Sequence, residues 1–264
     1  MSEEKAIKAA KAPHTIESLR DDLRRLGVAQ GDVLIAHTSL SAIGWVCGGA
    51  QAVVEALLAA IGPAGTLVMP AHTTGNFDPS LQRRPPLPEA WWPAIRESMP
   101  AFDPAKTPTR EMGAVAELFR TWPGTLRSGH PYGSFSANGP LAERICARHP
   151  LTPMWGEDSP LGALYELGAK TLLVGVGYSR CTCLHLAEVR AGLPRMPWGL
   201  AMLEGGQPVW KTYEDFDYGS TPYGRIGQQF EDDGGALAGL VGSAQSHLCP
   251  VRELVDYAQG RMRG

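Results

Sequence analysis

Leu172-Leu-Val-Gly-Val-Gly177 is an apolar run that ends in two glycines, and Tyr178-Ser-Arg-Cys-Thr-Cys183 leads from it into a helix-forming segment carrying His185 and Glu188. A continuous apolar run bounded by glycine reads as a strand buried on both faces, and such strands belong to α/β folds with helices on both sides of the sheet. Residues three apart on a helix share a face, so Glu188 can hold the His185 ring in one tautomer. A histidine oriented by a carboxylate, just past the carboxyl end of a strand, sits where open α/β sheets carry their chemistry. On spacing alone the pair reads first as a structural contact, with the catalytic reading second. Thr182 is in place to cap the helix.

Other strands and helices alternate along the chain. A helix from about Thr15 to Leu26 is predicted from the cap at Thr15, the stripe Ile16, Leu19, Leu23 and Leu26, and the stop at Gly27. Val33–Ala36 and Thr66–Met69 read as strands on either side of a helix from Ala50 to Ile61, a βαβ unit with a right-handed crossover. Further helices are expected near Met112–Phe119, near Pro140–Arg148, after the Ser159-Pro160 cap up to Gly168, and from Leu254 to Met262, with an edge strand at Val209–Tyr213. From Thr73 to about Pro108 the pattern fails in a proline-rich excursion containing Trp91 and Trp92, read as an ordered covering over a cleft. With no repeat and no shift in composition, the expectation is a single three-layer α/β/α domain, residues 1–264, around a central mixed sheet.

A formal net charge of −3 gives no concentrated basic surface for nucleic acid. No apolar run is long enough to span a bilayer, and Met1-Ser-Glu-Glu-Lys5 lacks a signal peptide's apolar core, so a cytoplasmic protein is expected. Cys47, Cys146, Cys181, Cys183 and Cys249 are odd in number and scattered, which suits neither a disulfide framework nor a paired zinc site. Cys181 and Cys183 with His185 offer either thiolate–imidazole metal ligands or an activated nucleophile, but nothing supplies a convincing fourth ligand, and no metal is expected.

His37-Thr-Ser39 falls at the end of the first strand, with Gly44 and Gly48-Gly49 soon after. Hydroxyls, glycine amides and the positive end of the Ala50 helix suit phosphate oxygens, though a plain strand-to-helix turn has the same residues. Neither a Walker-type loop nor a dinucleotide glycine fingerprint follows a strand. Thr107-Pro-Thr109-Arg110-Glu-Met-Gly113 supplies hydroxyls, a cation and a close-approach glycine at a helix start. Arg110 either neutralises a phosphate or pairs with Glu111 or Glu117 at the surface. In Tyr213-Glu-Asp-Phe-Asp217, Asp215 and Asp217 share one face of an extended segment, as a solvated acidic loop or a cation-binding one.

Five segments in this order, Ala36–Gly44, Gly65–Pro70, Thr107–Gly113, His130-Pro-Tyr-Gly-Ser-Phe-Ser-Ala-Asn-Gly-Pro140 and the His185-Leu-Ala-Glu188 helix, resemble the aminoglycoside 3-N-acetyltransferase family from about Thr15 to about Phe230. The resemblance implies an acetyl-coenzyme A-dependent N-acetyltransferase that modifies the 3-amino group of the 2-deoxystreptamine ring in aminoglycoside antibiotics. It implies coenzyme A held by His37, Thr38, Ser39, Thr109, Arg110 and Gly113. The acidic-x-Asp pair of the family matches Asp215 and Asp217, linked to the catalytic histidine and the amino substrate. His185 would act as general base in direct transfer, supported by Glu188 and Asp217, with Thr182 or an amide near Gly113 stabilising the oxyanion. Asn76, Asp78, Glu157 and Glu231 are further candidates for antibiotic amines. The family commonly has asparagine and threonine at Cys181 and Cys183, so this chain departs there. Two other readings stand beside this one: an acetyltransferase of another small amine, such as an aminophosphonate, and a catalytically silent coenzyme A or metabolite binder.

Overall fold

The structure is a computed structural model and describes residue 7 and residues 12–262, apart from 74, 83, 84 and 220. The stretch Met1–Lys5, read above for a targeting segment, lies outside the described residues. Helix α1, Ile16–Leu26, opens on a capping box in which Thr15 Oγ1 accepts from the Ser18 amide and Ser18 Oγ from the Thr15 amide. Strand β1 is Val33–Thr38; a four-residue helix α2, Leu40–Ile43, and the longer α3, Gly49–Ile61, follow, and β2 is Thr66–Pro70. The excursion holds two 3₁₀ turns and helix α4, Trp92–Ser98. Then come α5, Gly113–Arg120, strands β3, Leu126–Arg127, and β4, Phe135–Asn138, and helices α6, Ala142–Cys146, and α7, Pro160–Glu166. Strand β5 is Lys170–Val174 and α8 is Leu184–Ala191. Strands β6, Arg195–Glu204, and β7, Gln207–Phe216, precede α9, Tyr223–Asp232, β8, Leu237–Val241, β9, Ala244–Pro250, and α10, Val251–Met262.

The central sheet is mixed, in the order β3-β4-β2-β1-β5-β9-β8, with β1 parallel to both β2 and β5 and the outer pairs antiparallel. Alternate residues of the inner strands face opposite cores. Leu34, Ala36, Leu67, Met69, Leu172 and Val174 pack with Leu19, Leu23, Val54, Leu57 and Phe119 of α1, α3 and α5. Ile35, Val68 and Leu173 pack with Ile145, Leu164, Leu186, Ile226 and Leu254 of α6 to α10. That two-faced burial makes the three layers. The chain leaves β1 toward one face and β5 toward the other, so a crevice opens between the carboxyl ends of these neighbouring strands. Among the described residues no helix is long and apolar enough to cross a membrane.

The edge strand expected at Val209–Tyr213 is present, longer than read and outside the main sheet. These residues belong to β7, which pairs along its whole length with β6 in a separate two-stranded sheet. Gly205 and Gly206 close the hairpin at φ 58° and 80°, the positive values that a two-residue turn of this hand demands. The excursion docks on this hairpin: Asp78 N donates to Gly199 O at 2.7 Å and Phe102 N to Ala201 O at 3.2 Å. The excursion's described residues carry regular turns and α4, but Trp91 is 58% exposed and Trp92 Nε1 is turned onto Leu87 O, so the tryptophan pair does not roof the crevice.

Candidate active site

A cleft of about 390 Å³ opens at the ends of β1 and β5, lined by His37, Thr38, Ser39, Ser41, Glu111, Met112, Gly113, Arg180 and Thr182. Its floor is the β1 end, where Ser39 N bonds Val174 O at 2.9 Å. Its side is the 107–113 segment, stitched to the end of β2 by Arg110 N to His72 O at 2.9 Å. Glu111 sits at φ 64°, a left-handed conformation that costs a non-glycine residue ~1–2 kcal/mol and places a carboxylate at the cleft. Gly48 and Gly49 do not line it: the chain turns into the short α2 immediately after Ser39, so the start of the longer helix lies elsewhere. A second cavity of about 700 Å³, walled by Met99, Pro100, Leu203 and Pro208 with Asn76, Lys106, Thr109 and Arg110, borders the same segment. Glu117 takes Arg120 at 2.6 Å and the Thr109 amide at 2.7 Å.

Thr182 does not cap α8. Cys183 takes the cap position without a side-chain bond, and the Thr182 hydroxyl lies 2.9 Å from His37 Nε2, with its amide 3.2 Å from the same nitrogen. His37 therefore fixes the backbone that launches α8. Burial, with the neighbouring His185 charge, lowers the His37 pKa to about 4, so the ring works uncharged.

One turn along α8, His185 Nδ1 is 2.7 Å from Glu188 Oε2, the i, i+3 contact that the spacing suggested. Glu188 is fully buried. Burial pushes its carboxyl up, but the His185 hydrogen bond and charge outweigh that and hold it below the usual carboxylate range. With Nδ1 committed to Glu188, Nε2 is the nitrogen available for chemistry. Tyr223 Oη lies 2.6 Å from Nδ1, and its raised pKa, from burial first and then the Glu188 charge, keeps the phenol protonated. The other face of the ring stacks on Trp155, centroids 3.8 Å apart and planes 15° apart, while Tyr218 meets it edge-on at 5.4 Å. Trp155, Tyr218 and Tyr223 carry no signal in the sequence that ties them to His185, since each arrives from a different loop or helix. The His130 motif builds the loop beneath Trp155: His130 Nδ1 accepts the Tyr132 and Gly133 amides at 3.1 and 2.9 Å.

The predicted acidic residues are distributed differently from the expectation. Asp215 is the penultimate residue of β7, and Asp217 follows its end, where the Asp217 amide continues the pairing by donating to Pro194 O at 2.9 Å. Asp215 is fully buried and accepts from the Met154 amide, the Phe216 amide and Tyr218 Oη. Asp78 takes Arg96 through both oxygens at 2.8 and 2.9 Å, and Glu157 takes Arg190 in the same way at 2.9 and 2.6 Å. Glu231 accepts from Tyr178 at 2.9 Å and faces His247 at 2.8 Å. Asn76 bonds Ala201 O through Nδ2, while its buried Oδ1 has no hydrogen-bond partner within reach among the described residues.

Cys181 and Cys183 are both buried and absent from the cleft wall. The Cys181 contact and burial push the Cys183 thiol well up, which disfavours a thiolate nucleophile there. Among the described residues no group of three or more His, Cys, Asp or Glu is placed to hold a metal ion.

A carboxylate-paired histidine on the helix after β5, with a hydroxyl-lined cleft at the switch point of an α/β/α sheet, is an arrangement that suits group-transfer chemistry. Residues 35–263 match the profile of the aminoglycoside 3-N-acetyltransferase family, and the chain belongs to that family of acyltransferases. A Bacillus subtilis relative, the SPbeta prophage-derived aminoglycoside N(3')-acetyltransferase-like protein YokD, is 41% identical over 97% of this chain and 94% of its own length. Its crystal structure superposes with a TM-score of 0.94, covering 98% of this chain and 96% of that one. Aminoglycoside N(3)-acetyltransferase VIII of Streptomyces fradiae is 36% identical, covering 100% of this chain and 98% of its own. A solved binary complex of AAC-IIIb with CoASH matches at TM-score 0.85 and 32% identity, covering 95% and 96% of the two chains. AAC-VIa bound to sisomicin matches at TM-score 0.83 and 30% identity, covering 95% and 97%.

Proposed function

We propose that this protein transfers the acetyl group of acetyl-coenzyme A to the 3-amino group of an aminoglycoside, with His185 as general base and no acyl-enzyme, and so confers resistance to the antibiotic. The observation that carries the reading is the His185–Glu188 bond at 2.7 Å, which commits Nδ1 and leaves Nε2 to accept a proton, three residues on from the cleft-lining Thr182. The relatives named for coenzyme A and sisomicin supply the two ligand classes. The cleft suits the donor: Thr38, Ser39 and Ser41 offer hydroxyls, and Gly113 leaves its backbone open to close approach. His37, Thr38, Ser39, Thr109, Arg110 and Gly113 would hold it, and no metal is needed.

Acetyl-coenzyme A supplies an activated thioester carbonyl. An antibiotic amine arrives as an ammonium ion, which has no lone pair for attack. His185 Nε2 takes its proton while Glu188 stabilises the imidazolium through Nδ1. The freed amine attacks the thioester carbonyl, the C–S bond breaks, the imidazolium returns a proton to the departing sulfur, and the amine's second proton leaves to solvent. Thr182 beside the cleft or a backbone amide near Gly113 would stabilise the oxyanion; His37 Nε2 accepts the Thr182 amide, so the Thr182 hydroxyl has to turn off that nitrogen to reach the developing charge. Asp217 would support the base or an ammonium group of the acceptor.

A second acceptor class is favoured by one observation: Asp78, Glu157, Glu231 and Asp215, the carboxylates expected to meet a polycation, are engaged within the chain. A small amine of lower charge needs fewer of them. Thiol release from acetyl-coenzyme A across a panel of aminoglycosides and simple amines tests both. The aminoglycoside reading expects 3-N-acetylated products, and turnover confined to small amines would replace it. Absence of release with every amine would leave a silent binder.

A further inference from the structure

We propose that Asp215 is a positioning residue for His185 that acts through Trp155 and Tyr218 instead of contacting the acceptor amine. The inference rests on His185 as base. Asp215 is fully buried, out of reach of any ligand ammonium. Its Oδ2 accepts the Met154 amide at 2.9 Å, and its Oδ1 accepts the Phe216 amide at 2.9 Å and Tyr218 Oη at 3.2 Å. Met154 precedes Trp155, the ring stacked on His185, and Tyr218 packs edge-on against both His185 and Trp155, at 5.4 and 4.6 Å.

One carboxylate therefore fixes two of the three aromatic side chains around the base. The buried Trp155 ring is also packed by His72 at 5.4 Å and Tyr132 at 6.2 Å, while its own hydrogen bond, Nε1 to Gly133 O, is a long 3.4 Å. Asp215 stands at the end of β7, so the hairpin outside the main sheet serves to deliver it. Thr152 Oγ1 donating to Glu214 O at 2.9 Å and Trp198 Nε1 donating to Phe216 O at 3.1 Å lock the same junction. A buried carboxylate without donors is strongly disfavoured, which is why three converge on it.

The test is Asp215→Asn, which keeps the shape and turns one acceptor into a donor facing an N–H. A misplaced base loses turnover steeply, so kcat should fall roughly 10- to 100-fold. KM for the acceptor should stay within about 2-fold whatever the number of its charges, and the rising limb of the rate–pH profile should move. Tyr218→Phe keeps the ring and loses one donor, so it should show a smaller fall in kcat in the same direction. In a His185→Ala background Asp215→Asn should cost no further kcat, because both act through one group. A rise in KM that scales with acceptor charge at constant kcat would make Asp215 a substrate ligand and overturn the proposal. So would unchanged kcat in both variants. If Asp215→Asn does not fold, Tyr218→Phe and Trp155→Phe carry the same test. Full activity in His185→Ala removes the base reading itself, whereas collapse there with normal Asp215→Asn removes only the positioning role.

Discussion

The His185 imidazole lies flat against the Trp155 indole, centroids 3.8 Å apart, so the base is held on one face by a ring and at Nδ1 by Glu188. The stack fixes the direction in which Nε2 points. It also excludes water from that face of the imidazole, which strengthens the Glu188 interaction.

Trp155→Leu removes the stack and leaves the dyad. Turnover should fall roughly 10-fold with coenzyme A affinity unchanged, read from initial rates and from calorimetric titration of CoASH. Unchanged kcat in a folded variant would mean that Glu188 alone orients the base.

Stability should fall in mild acid. Burial lowers the pKa values of His37 and His130 to about 4, against 6.5 for an ordinary ring. Between those values the unfolded chain binds protons that the native rings refuse, so stability is full above about pH 6.5 and is lost as pH falls toward about 4. Each ring contributes on the order of 3 kcal/mol across that window. His130 shows why: protonating Nδ1 would break its bonds from two backbone amides. Urea midpoints measured from pH 4 to 7.5 should decline steeply below 6.5, and a flat profile would show these rings to be charged in the native state.

Direct transfer makes the cysteine pair dispensable for chemistry. Cys181→Ser with Cys183→Ser should retain most of the turnover, and intact-mass spectra of the native enzyme with acetyl-coenzyme A should show no acetylated species. A trapped acetyl-enzyme, lost in Cys183→Ser, would establish ping-pong chemistry.

Helix α9 sits tightly on Tyr178. A Cβ added at Gly227 would lie 2.1 Å from Tyr178 Cγ, so Gly227→Ala should destabilise by about 1–3 kcal/mol through overpacking. Gly260, in α10, has open space around it, and Gly260→Ala should be neutral or stabilising by up to ~1 kcal/mol. Chemical denaturation of the two variants checks the contrast, and equal effects would contradict it.

The inner strands were legible because Val33–Ala36, Thr66–Met69 and Leu172–Val174 are buried on both faces and read as unbroken apolar runs. Phe135–Asn138 and Ala244–Pro250 were not, since they alternate with serine, asparagine, glutamine and histidine and depend on neighbours for their pairing. The β6–β7 hairpin did leave a signal in Gly205-Gly206, but its flanking residues do not alternate strongly enough to be read as two long strands. His185 and Glu188 were found because a helix brings them together by local spacing alone. Trp155, Tyr218 and Tyr223 converge only through tertiary packing, and the acidic residues found arginine, tyrosine and amide partners that no local spacing announces.

The central claim is that His185 removes the proton from the acceptor amine, and His185→Ala assayed over pH tests it most directly. A positioned base contributes roughly 10²–10⁴-fold, so kcat should drop at least ~100-fold while CoASH binding changes little. The rising limb of the native rate–pH profile should vanish with the imidazole. Near-native kcat in the alanine variant, with the pH dependence intact, would contradict the account and leave His185 a structural residue.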